Sequence, residues 1–336
     1  MIKERDYLWD NIKALLICLV VTGHCIEVSA VHNSLTRAVN YWIYSFHMPA
    51  FIFVSGFWAK SYCKNGRVRV EKLATLICYY TAFQILFSVL KLIFNIKTSS
   101  ISFFSPARGL WYLLAMIFFY LLVPLAERLP SYIVLPALIT LGVLIGKDRS
   151  PSNYLALLRI FNFAPYFFMG YYLSTDTVNK LRSLKGRLRY PLGAALVVLS
   201  SAIWIVQRNT FSREIFFGKL TYHKIHLGLL EGAGLRLQTY LIAAIMIAAL
   251  LLVMPSKKTI FSFVGKNSLQ IFILHMALVI ILFDSKLVHT EINSNPEFAV
   301  AVFAGAALTI ILALPVFTYP FRAISRFSEK LCKLKK

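Results

Sequence analysis

Three ionisable residues lie in or beside one apolar segment near the start of the chain. Lys13 precedes the uncharged run at residues 14–21, and His24 and Glu27 follow it. An ionisable side chain inside a membrane span costs roughly 2.5–3.5 kcal/mol on insertion scales, so such residues usually mark a functional site. If the segment is a helix, Lys13 and His24 share one face, because their eleven-residue separation exceeds three full turns by only about 20°. They would then be about 16 Å apart along the helix axis.

That geometry suits a long ligand with an anionic head and a reactive tail, such as the pantetheine thioester of acyl-CoA. Lys13 could hold phosphate groups at the cytoplasmic end of the helix, while a neutral His24 imidazole lies at the thioester. Glu27, one turn after His24, could accept the second ring N–H and fix the tautomer. Taken singly, each residue also has a simpler interpretation. Lys13 could extend to the lipid headgroups, and His24 could be hydrogen-bonded by neighbouring helices.

The composition indicates that lipid surrounds these residues. Of 336 residues, 58% are hydrophobic and 15% are charged, and the mean hydropathy is +0.68. Soluble domains average roughly 45–50% apolar and about 25% charged residues. The sequence therefore excludes a soluble enzyme with a single anchor and predicts an all-α integral membrane protein. We expect a single polytopic domain over residues 1–336, with no appended soluble domain.

Ten apolar segments predict about ten transmembrane helices. Most are separated by short polar links, of which the longest are 175–189 and 208–235. A possible signal-peptidase site at residues 28–30 is outweighed by the charges in and before the first segment, so we expect an uncleaved first span. The predicted spans are 11–28, 40–59, 73–96, 108–126, 132–146, 154–174, 190–207, 236–254, 267–283 and 298–319.

The distribution of positive charge predicts the orientation. The chain has 36 Lys and Arg against 14 Asp and Glu, a net charge of +22. On a soluble protein this excess would suggest a nucleic-acid partner. Here 22 of the cations fall on one predicted side, 11 on the other, and three inside spans. Because Lys and Arg accumulate on the cytoplasmic side, we expect cytoplasmic termini, with residues 29–39 and 208–235 outside. The basic charge then serves topology and contact with membrane lipids, and no nucleic-acid partner is expected.

The cysteines and the remaining histidines do not predict a metal site. The five cysteines form no Cys-x-x-Cys pair and mostly lie in or beside apolar runs, which is typical of packing residues. His223 and His226 are three residues apart with Glu231 nearby, but the further ligands that a metal needs are not evident. We therefore expect no metal.

Several motifs, in order along the chain, resemble those of the membrane-bound acyltransferase-3 family. Lys13 and His24 are similar to its (Arg/Lys)-x10-His signature. The resemblance covers nearly the whole chain, and the branch it most resembles is that of fucose 4-O-acetylases and exopolysaccharide O-acetylases. The other matching motifs are His47-Met48-Pro49 leading into Ser55-Gly56-Phe57, Leu110-Trp111-Tyr112-Leu113, and Gly265-Lys266-Asn267-Ser268-Leu269 with His275.

The resemblance implies an enzyme, an O-acyltransferase that uses acyl-CoA, most simply acetyl-CoA, as co-substrate without a metal. The acceptor would be a hydroxyl of a cell-surface carbohydrate or of its lipid-linked precursor, and the location a bacterial cytoplasmic membrane. His24 would be the general base and Glu27 its orienting partner. Lys13, Arg69 and Lys72 would hold the CoA phosphates. Many family members have Arg-x-x-Arg where this chain has Arg69 and Lys72, so one bidentate guanidinium is missing.

Four further residues have both a functional and a structural interpretation. His47 could bind acceptor hydroxyls, or it could be a histidine at the headgroup level. Trp111 and Tyr112 could stack on a sugar, although an aromatic belt explains them at least as well. Arg159 could form an anion site, but a side chain extending from a span end is favoured. Ser55 could accept the acyl group, but a small residue for helix packing is the better interpretation.

Two other functional classes compete with the enzyme. A secondary transporter or flippase for a glycolipid or small anion could use Lys13 and His24 as a substrate or proton path. Such transporters often have paired helix breaks, whereas the breaks here, Pro136 and Pro315, are unpaired. A third alternative is a non-catalytic membrane sensor or assembly subunit. In that case the spacing of Lys13 and His24 would be accidental.

Overall fold

The computed structural model describes residues 6–27, 33–64, 66–96, 102–148, 154–207, 213–288, 292 and 294–333. This part of the chain is almost entirely helical, as the composition predicts. Its two strands, β1 (Cys63–Lys64) and β2 (Arg67–Val68), pair as one short antiparallel hairpin. The α-helices are α1 (Leu8–Glu27), α2 (Ser34–Trp58), α3 (Val70–Ile93), α4 (Trp111–Arg128), α5 (Ser131–Leu144), α6 (Leu157–Tyr172), α7 (Thr175–Arg182), α8 (Gly186–Gln207), α9 (Arg213–Phe217), α10 (Leu229–Val253), α11 (Ser262–Lys266), α12 (Ser268–Val279), α13 (Asn295–Leu312) and α14 (Tyr319–Lys333).

Each of the ten predicted spans overlaps one apolar helix, namely α1 to α6, α8, α10, α12 or α13. Within the described residues, six helical segments are long and apolar enough to cross a membrane, and α5 and α12 are shorter apolar helices. The chain is therefore a multi-pass membrane protein, and the count of ten spans stays a prediction. The six segments are Leu8–Glu27, Val70–Ile93, Arg108–Arg128, Gly186–Val206, Leu229–Val253 and Asn295–Leu312.

The C-terminal end of the chain differs from the predicted last span. Helix α13 ends at Leu312, because Pro315 requires extended backbone at Leu314. The amphipathic helix α14 then packs along α3. The Tyr79 hydroxyl of α3 lies 3.0 Å from the Phe321 carbonyl oxygen and 2.6 Å from Ser325 Oγ. The tail is thus a docked helix.

Glycines allow α2 and α6 to approach until their backbones touch. A Cβ at Gly56 would collide with the Phe167 carbonyl oxygen, and one at Gly170 would collide with that of Phe53. Small residues at helix contacts are typical of membrane bundles, where close packing replaces the hydrophobic effect between helices. The Ser55-Gly56-Phe57 motif therefore has a packing role.

Helix α1 is fixed at its beginning by a polar cluster. Asn11 donates from Nδ2 to the carbonyl oxygens of Pro255 (2.8 Å) and Lys257 (3.0 Å). Its Oδ1 accepts from Thr259 Oγ1 at 2.8 Å and from Ser262 Oγ at 2.7 Å. Because every polar atom of the Asn11 amide is engaged, the segment before α11 holds α1 in register and so positions Lys13 and His24.

Candidate active site

A cavity of about 840 Å³ opens at one end of the bundle. It lies among the C-terminal parts of α1, α3 and α12, the middle of α2, the N-terminal parts of α4 and α6, and the segment at 214–220. Its volume is in the range of pockets that bind small molecules. His24 and Glu27 line this cavity from the end of α1, whereas Lys13 lies toward the other end of that helix.

His24 and Glu27 form the contact that their i, i+3 spacing predicts. His24 Nδ1 lies 2.8 Å from Glu27 Oε2. The Tyr44 hydroxyl is 3.3 Å from the same Glu27 oxygen and donates to it. A carboxylate that accepts from Nδ1–H places the proton of a neutral ring on Nδ1 and leaves Nε2 as the acceptor. The pair can therefore take a proton from a ligand hydroxyl and stabilise the imidazolium that forms.

Two further histidines surround His24. His47 lines the cavity, and its Nδ1 lies 2.7 Å from the Ile43 carbonyl oxygen. His275 is buried on α12, and its Nδ1 lies 2.8 Å from the Ile271 carbonyl oxygen. Its ring centroid is 5.5 Å from that of His24. Both residues belong to the motifs singled out from the sequence, and the fold places both near His24.

The two aromatic residues predicted to stack on a sugar have different locations. Trp111 lines the cavity, and the Arg159 guanidinium lies over its indole ring at 4.8 Å from the centroid. Tyr112 does not line it. The Tyr112 hydroxyl is 2.7 Å from Ser55 Oγ. Ser55 Oγ itself donates to the Phe51 carbonyl oxygen at 3.0 Å. Tyr112 and Ser55 thus join α4 to α2.

The wall of the cavity is strongly basic, which sequence reasoning missed apart from Arg159. Among the residues that the structure describes, the Lys and Arg side chains that line it are Lys91, Arg108, Arg159 and Lys219. Arg108 is bound to Asp284 through two contacts, one of them from Nε to Oδ2 at 2.8 Å. Burial and the nearby Arg159 and Arg108 guanidinium groups lower the pKa of the Lys219 amine. The only sequence signal was the presence of Lys91 and Arg159 inside predicted spans.

The segment that carries Arg108 is tied to α3 by one buried amide. Gln84 donates from Nε2 to the carbonyl oxygens of Ser102 (2.8 Å) and Ser105 (3.2 Å). Its Oε1 accepts from the Ala107 backbone N–H at 2.9 Å. Gln84 thereby shapes the rim of the cavity ahead of α4.

The predicted CoA-binding residues lie away from this cavity. Lys13 Nζ is 3.0 Å from Asp10 Oδ1. Arg69 Nη1 donates to the Ser61 carbonyl oxygen at 3.3 Å, and Lys72 Nζ to Ser61 Oγ at 2.9 Å. The structure thus brings Arg69 and Lys72 together at Ser61.

The face of α1 between its two ends is apolar. Ile17 and Val20 occupy it between Lys13 and His24, and Ile17 has no exposed surface. As for metals, the described residues contain no group of three or more His, Cys, Asp or Glu side chains that could bind one.

Comparison with known proteins places these motifs in a family. A model described as "Acyltransferase domain", that of the acyltransferase-3 family, matches residues 6–317. The chain belongs to the acyltransferase-3 family. A stretch of 92 residues is 32% identical to nodulation protein NolL of Sinorhizobium fredii, covering 24% of each chain. The chain thus spans about a quarter of the length of the curated relative that it matches. No solved structure matches. Together with its apolar helices, the family match identifies this chain as a multi-pass membrane member of the acyltransferase-3 family.

Proposed function

We propose that this protein moves an acetyl or other short acyl group from cytoplasmic acyl-CoA to a hydroxyl of a cell-surface carbohydrate or its lipid-linked precursor. The observation that carries the proposal is the contact between His24 and Glu27 at the wall of a ligand-sized cavity. The resemblance to polysaccharide O-acetylases suggests the carbohydrate, and a bacterial cytoplasmic membrane is the proposed location.

In the proposed reaction, the acceptor hydroxyl oxygen attacks the carbonyl carbon of the thioester. A new C–O bond forms, the C–S bond breaks, and the sulfur leaves with its electron pair. His24 Nε2 takes the hydroxyl proton and gives it to the departing sulfur, so the products are an ester and CoA thiol. Glu27 holds the ring and compensates the transient positive charge on the imidazolium. General-base catalysis supplies about 10²–10⁴ in rate, so positioning within the cavity must supply much of the rest.

Lys13, Arg69 and Lys72 are the proposed partners of the CoA phosphates. The ion pair of Lys13 with Asp10 keeps the ammonium in place before the donor binds. A phosphate that reaches Lys13 must share it with this carboxylate. Arg69 and Lys72, which both contact Ser61, offer two cations at a second point.

His24→Gln is the variant that tests the proposal. Gln keeps a polar side chain but cannot take and release a proton. Purified protein in detergent is incubated with labelled acetyl-CoA and candidate glycans, and CoA binding is measured on the same sample. We expect normal CoA binding and a loss of at least about 10² in transfer rate. His223→Gln is the matched control, since His223 is an exposed histidine outside the cavity.

Near-normal transfer by His24→Gln would reject His24 as the base and leave His47 and His275 as candidates. A second result would favour the transporter. If the unmodified protein transfers no label, while a glycolipid or small anion crosses liposomes in a manner that depends on His24, the enzyme proposal is wrong.

A further inference from the structure

Cations from four separate segments meet at the cavity that contains His24. Lys91 comes from α3, Arg108 from the turn before α4, Arg159 from α6 and Lys219 from the segment after α9. Asp284 neutralises Arg108. Among the described residues, no carboxylate oxygen lies within 4.0 Å of the charged nitrogens of the other three cations. Within the described residues, three cations without an ion pair therefore share one cavity.

Two acidic residues of the same wall, Glu27 and Glu214, form no ion pair with these three cations in the part of the chain that the structure describes. Glu27 is engaged by His24 and Tyr44. Glu214 also lines the cavity but forms no ion pair with Lys91, Arg159 or Lys219 in the described structure. The lowered pKa of Lys219 reflects burial together with repulsion from Arg159, Arg108 and Lys91, which outweigh the attraction of Glu27. Like charges held together in a partly buried site favour the binding of an anion, which relieves the repulsion.

Arg159 is already oriented for such a ligand. Its Nε donates to the Phe217 carbonyl oxygen at 3.3 Å, and its guanidinium lies over the Trp111 ring. These two contacts restrain the side chain without using its remaining N–H donors. A guanidinium held in this way loses little conformational freedom when it binds a carboxylate or phosphate.

The proposed binding site for the donor, acyl-CoA, uses cations other than those of the cavity wall. If CoA binds through Lys13, Arg69 and Lys72, its phosphates lie toward the other end of α1, about 16 Å from His24. The basic wall then faces the acceptor. On the basis of the proposed function, we propose that the acyl acceptor is an anionic sugar. Its carboxylate or phosphate group is held by Lys91, Arg159 and Lys219, and one of its hydroxyls lies at His24.

A set of matched acceptors tests the charge requirement. Methyl glucoside is neutral, methyl glucuronide carries a carboxylate, and glucose 1-phosphate carries a phosphate at the position of a lipid-linked sugar. We expect kcat/KM for one or both anions to exceed that for the glucoside by about tenfold or more. The anion that is preferred identifies the source of the charge, either the sugar itself or its phosphate linkage. Equal use of all three acceptors would overturn the inference and leave the proposed function intact.

Lys219→Gln tests whether the basic wall of the cavity binds the anionic group. Lys219 is the most exposed of the three cations, although the cavity partly desolvates its amine, so its replacement is compatible with folding. We expect the ratio of anionic to neutral acceptor use to fall about tenfold. Arg159→Gln should have a larger effect, and Arg159→Lys should recover part of it. Lys224→Gln is the matched control, because Lys224 is an exposed cation five residues away that does not line the cavity. An equal ratio in Lys219→Gln and Lys224→Gln would count against the inference.

Inorganic pyrophosphate tests anion binding without turnover. Calorimetry on the full-length protein in detergent should detect binding that weakens about tenfold in Lys219→Gln but not in Lys224→Gln. If pyrophosphate displaces acetyl-CoA and Arg159→Gln weakens CoA affinity, the wall is a donor site and the inference is wrong. If pyrophosphate binds in this way but no acceptor takes the label, the anion site stands and the proposed function fails.

Discussion

Glu27 acts on the proposed reaction only through His24, so it is a positioning residue. In Glu27→Gln, the amide oxygen can still accept from His24 Nδ1–H, but it carries no charge to stabilise an imidazolium. We expect kcat to fall about 10²-fold with little change in KM for acetyl-CoA. Glu231→Gln, at an exposed glutamate in the first turn of α10, is the control. A rise in KM at constant kcat would instead place Glu27 in substrate binding.

Lys13 is expected to act on donor binding. Loss of a charge-assisted contact to phosphate costs roughly 1.5–3 kcal/mol, so Lys13→Ala should weaken CoA affinity by about tenfold or more. Lys13→Arg keeps the charge and should bind CoA nearly as well as the unmodified protein. Equilibrium binding of CoA to the purified protein measures both. If Lys13→Ala keeps full affinity but loses turnover, the phosphate role is wrong.

The lowered pKa of Lys219 predicts that anion binding depends on pH. Its lowered pKa means that the amine loses its charge at a lower pH than an ordinary lysine does, so affinity for anions should fall as pH rises. The groups that influence it are Arg159, Arg108, Lys91 and Glu27. Lys219→Arg should make this fall shallower, since arginine stays charged. Calorimetry with pyrophosphate from about pH 7 to pH 10 tests this, because the titration of the probe itself is common to both proteins.

Of the helices, α11 should tolerate the addition of a methyl group least, because it packs directly on the backbone of α1. Gly265 lies against the backbone of α1, and a Cβ there would collide with the Asp10 carbonyl oxygen. We expect Gly265→Ala to lower stability by about 1–3 kcal/mol, the usual cost of overpacking. Gly234→Ala in α10 is the control, since a Cβ there meets nothing within 4 Å and helix propensity favours Ala. Thermal unfolding in detergent compares them, and equal melting temperatures would contradict the packing argument.

The elements that follow from local periodicity could be predicted from the sequence. The apolar runs locate the long helices, and the helical repeat correctly places Glu27 beside His24. The short helices α7, α9 and α11 could not be predicted, because their stability comes from contacts with the bundle and not from their own composition. Helix α14 was missed for a related reason. Its apolar residues form one face of the helix but are separated by charged residues along the sequence, so there is no continuous apolar run.

For the molecule as a whole, orientation is the property to measure. The hairpin at 63–68 follows the C-terminal end of α2, whereas the cavity lies beside residues 44–48 in the middle of that helix. The charge bias predicts the hairpin to be cytoplasmic. In a protein whose other cysteines are replaced, a membrane-impermeant maleimide should label Lys224→Cys on intact cells but leave Cys63 unlabelled. Permeabilised cells provide the control, in which Cys63 should react. Labelling of Cys63 on intact cells would invert the topology and the assignment of the donor end.

The basic wall of the cavity is a property of the whole molecule, which is why the sequence did not reveal it. Lys91, Arg108, Arg159 and Lys219 lie on four segments far apart in the chain. Each one alone resembles an ordinary residue at a span end or in a loop. Only the packing of α1, α3, α4 and α6 around one cavity brings them together, and such long-range contacts have no local sequence pattern. Arg159, for which a side chain extending from the span was favoured, lines the cavity and lies over Trp111.

The apolar middle of α1 also bears on the electrical resistance of the membrane. Residues 14–21 carry no charge, and Ile17 and Val20 are buried between Lys13 and His24. This insulating layer is about 12 Å of helix. A continuous water path there would let protons and ions leak, and each elementary charge that crosses is worth about 2.3 kcal/mol per 100 mV. In the proposed orientation, the phosphates of CoA stay on the cytoplasmic side and only the uncharged acyl group reaches the far side. Acylation then does no work against the membrane potential.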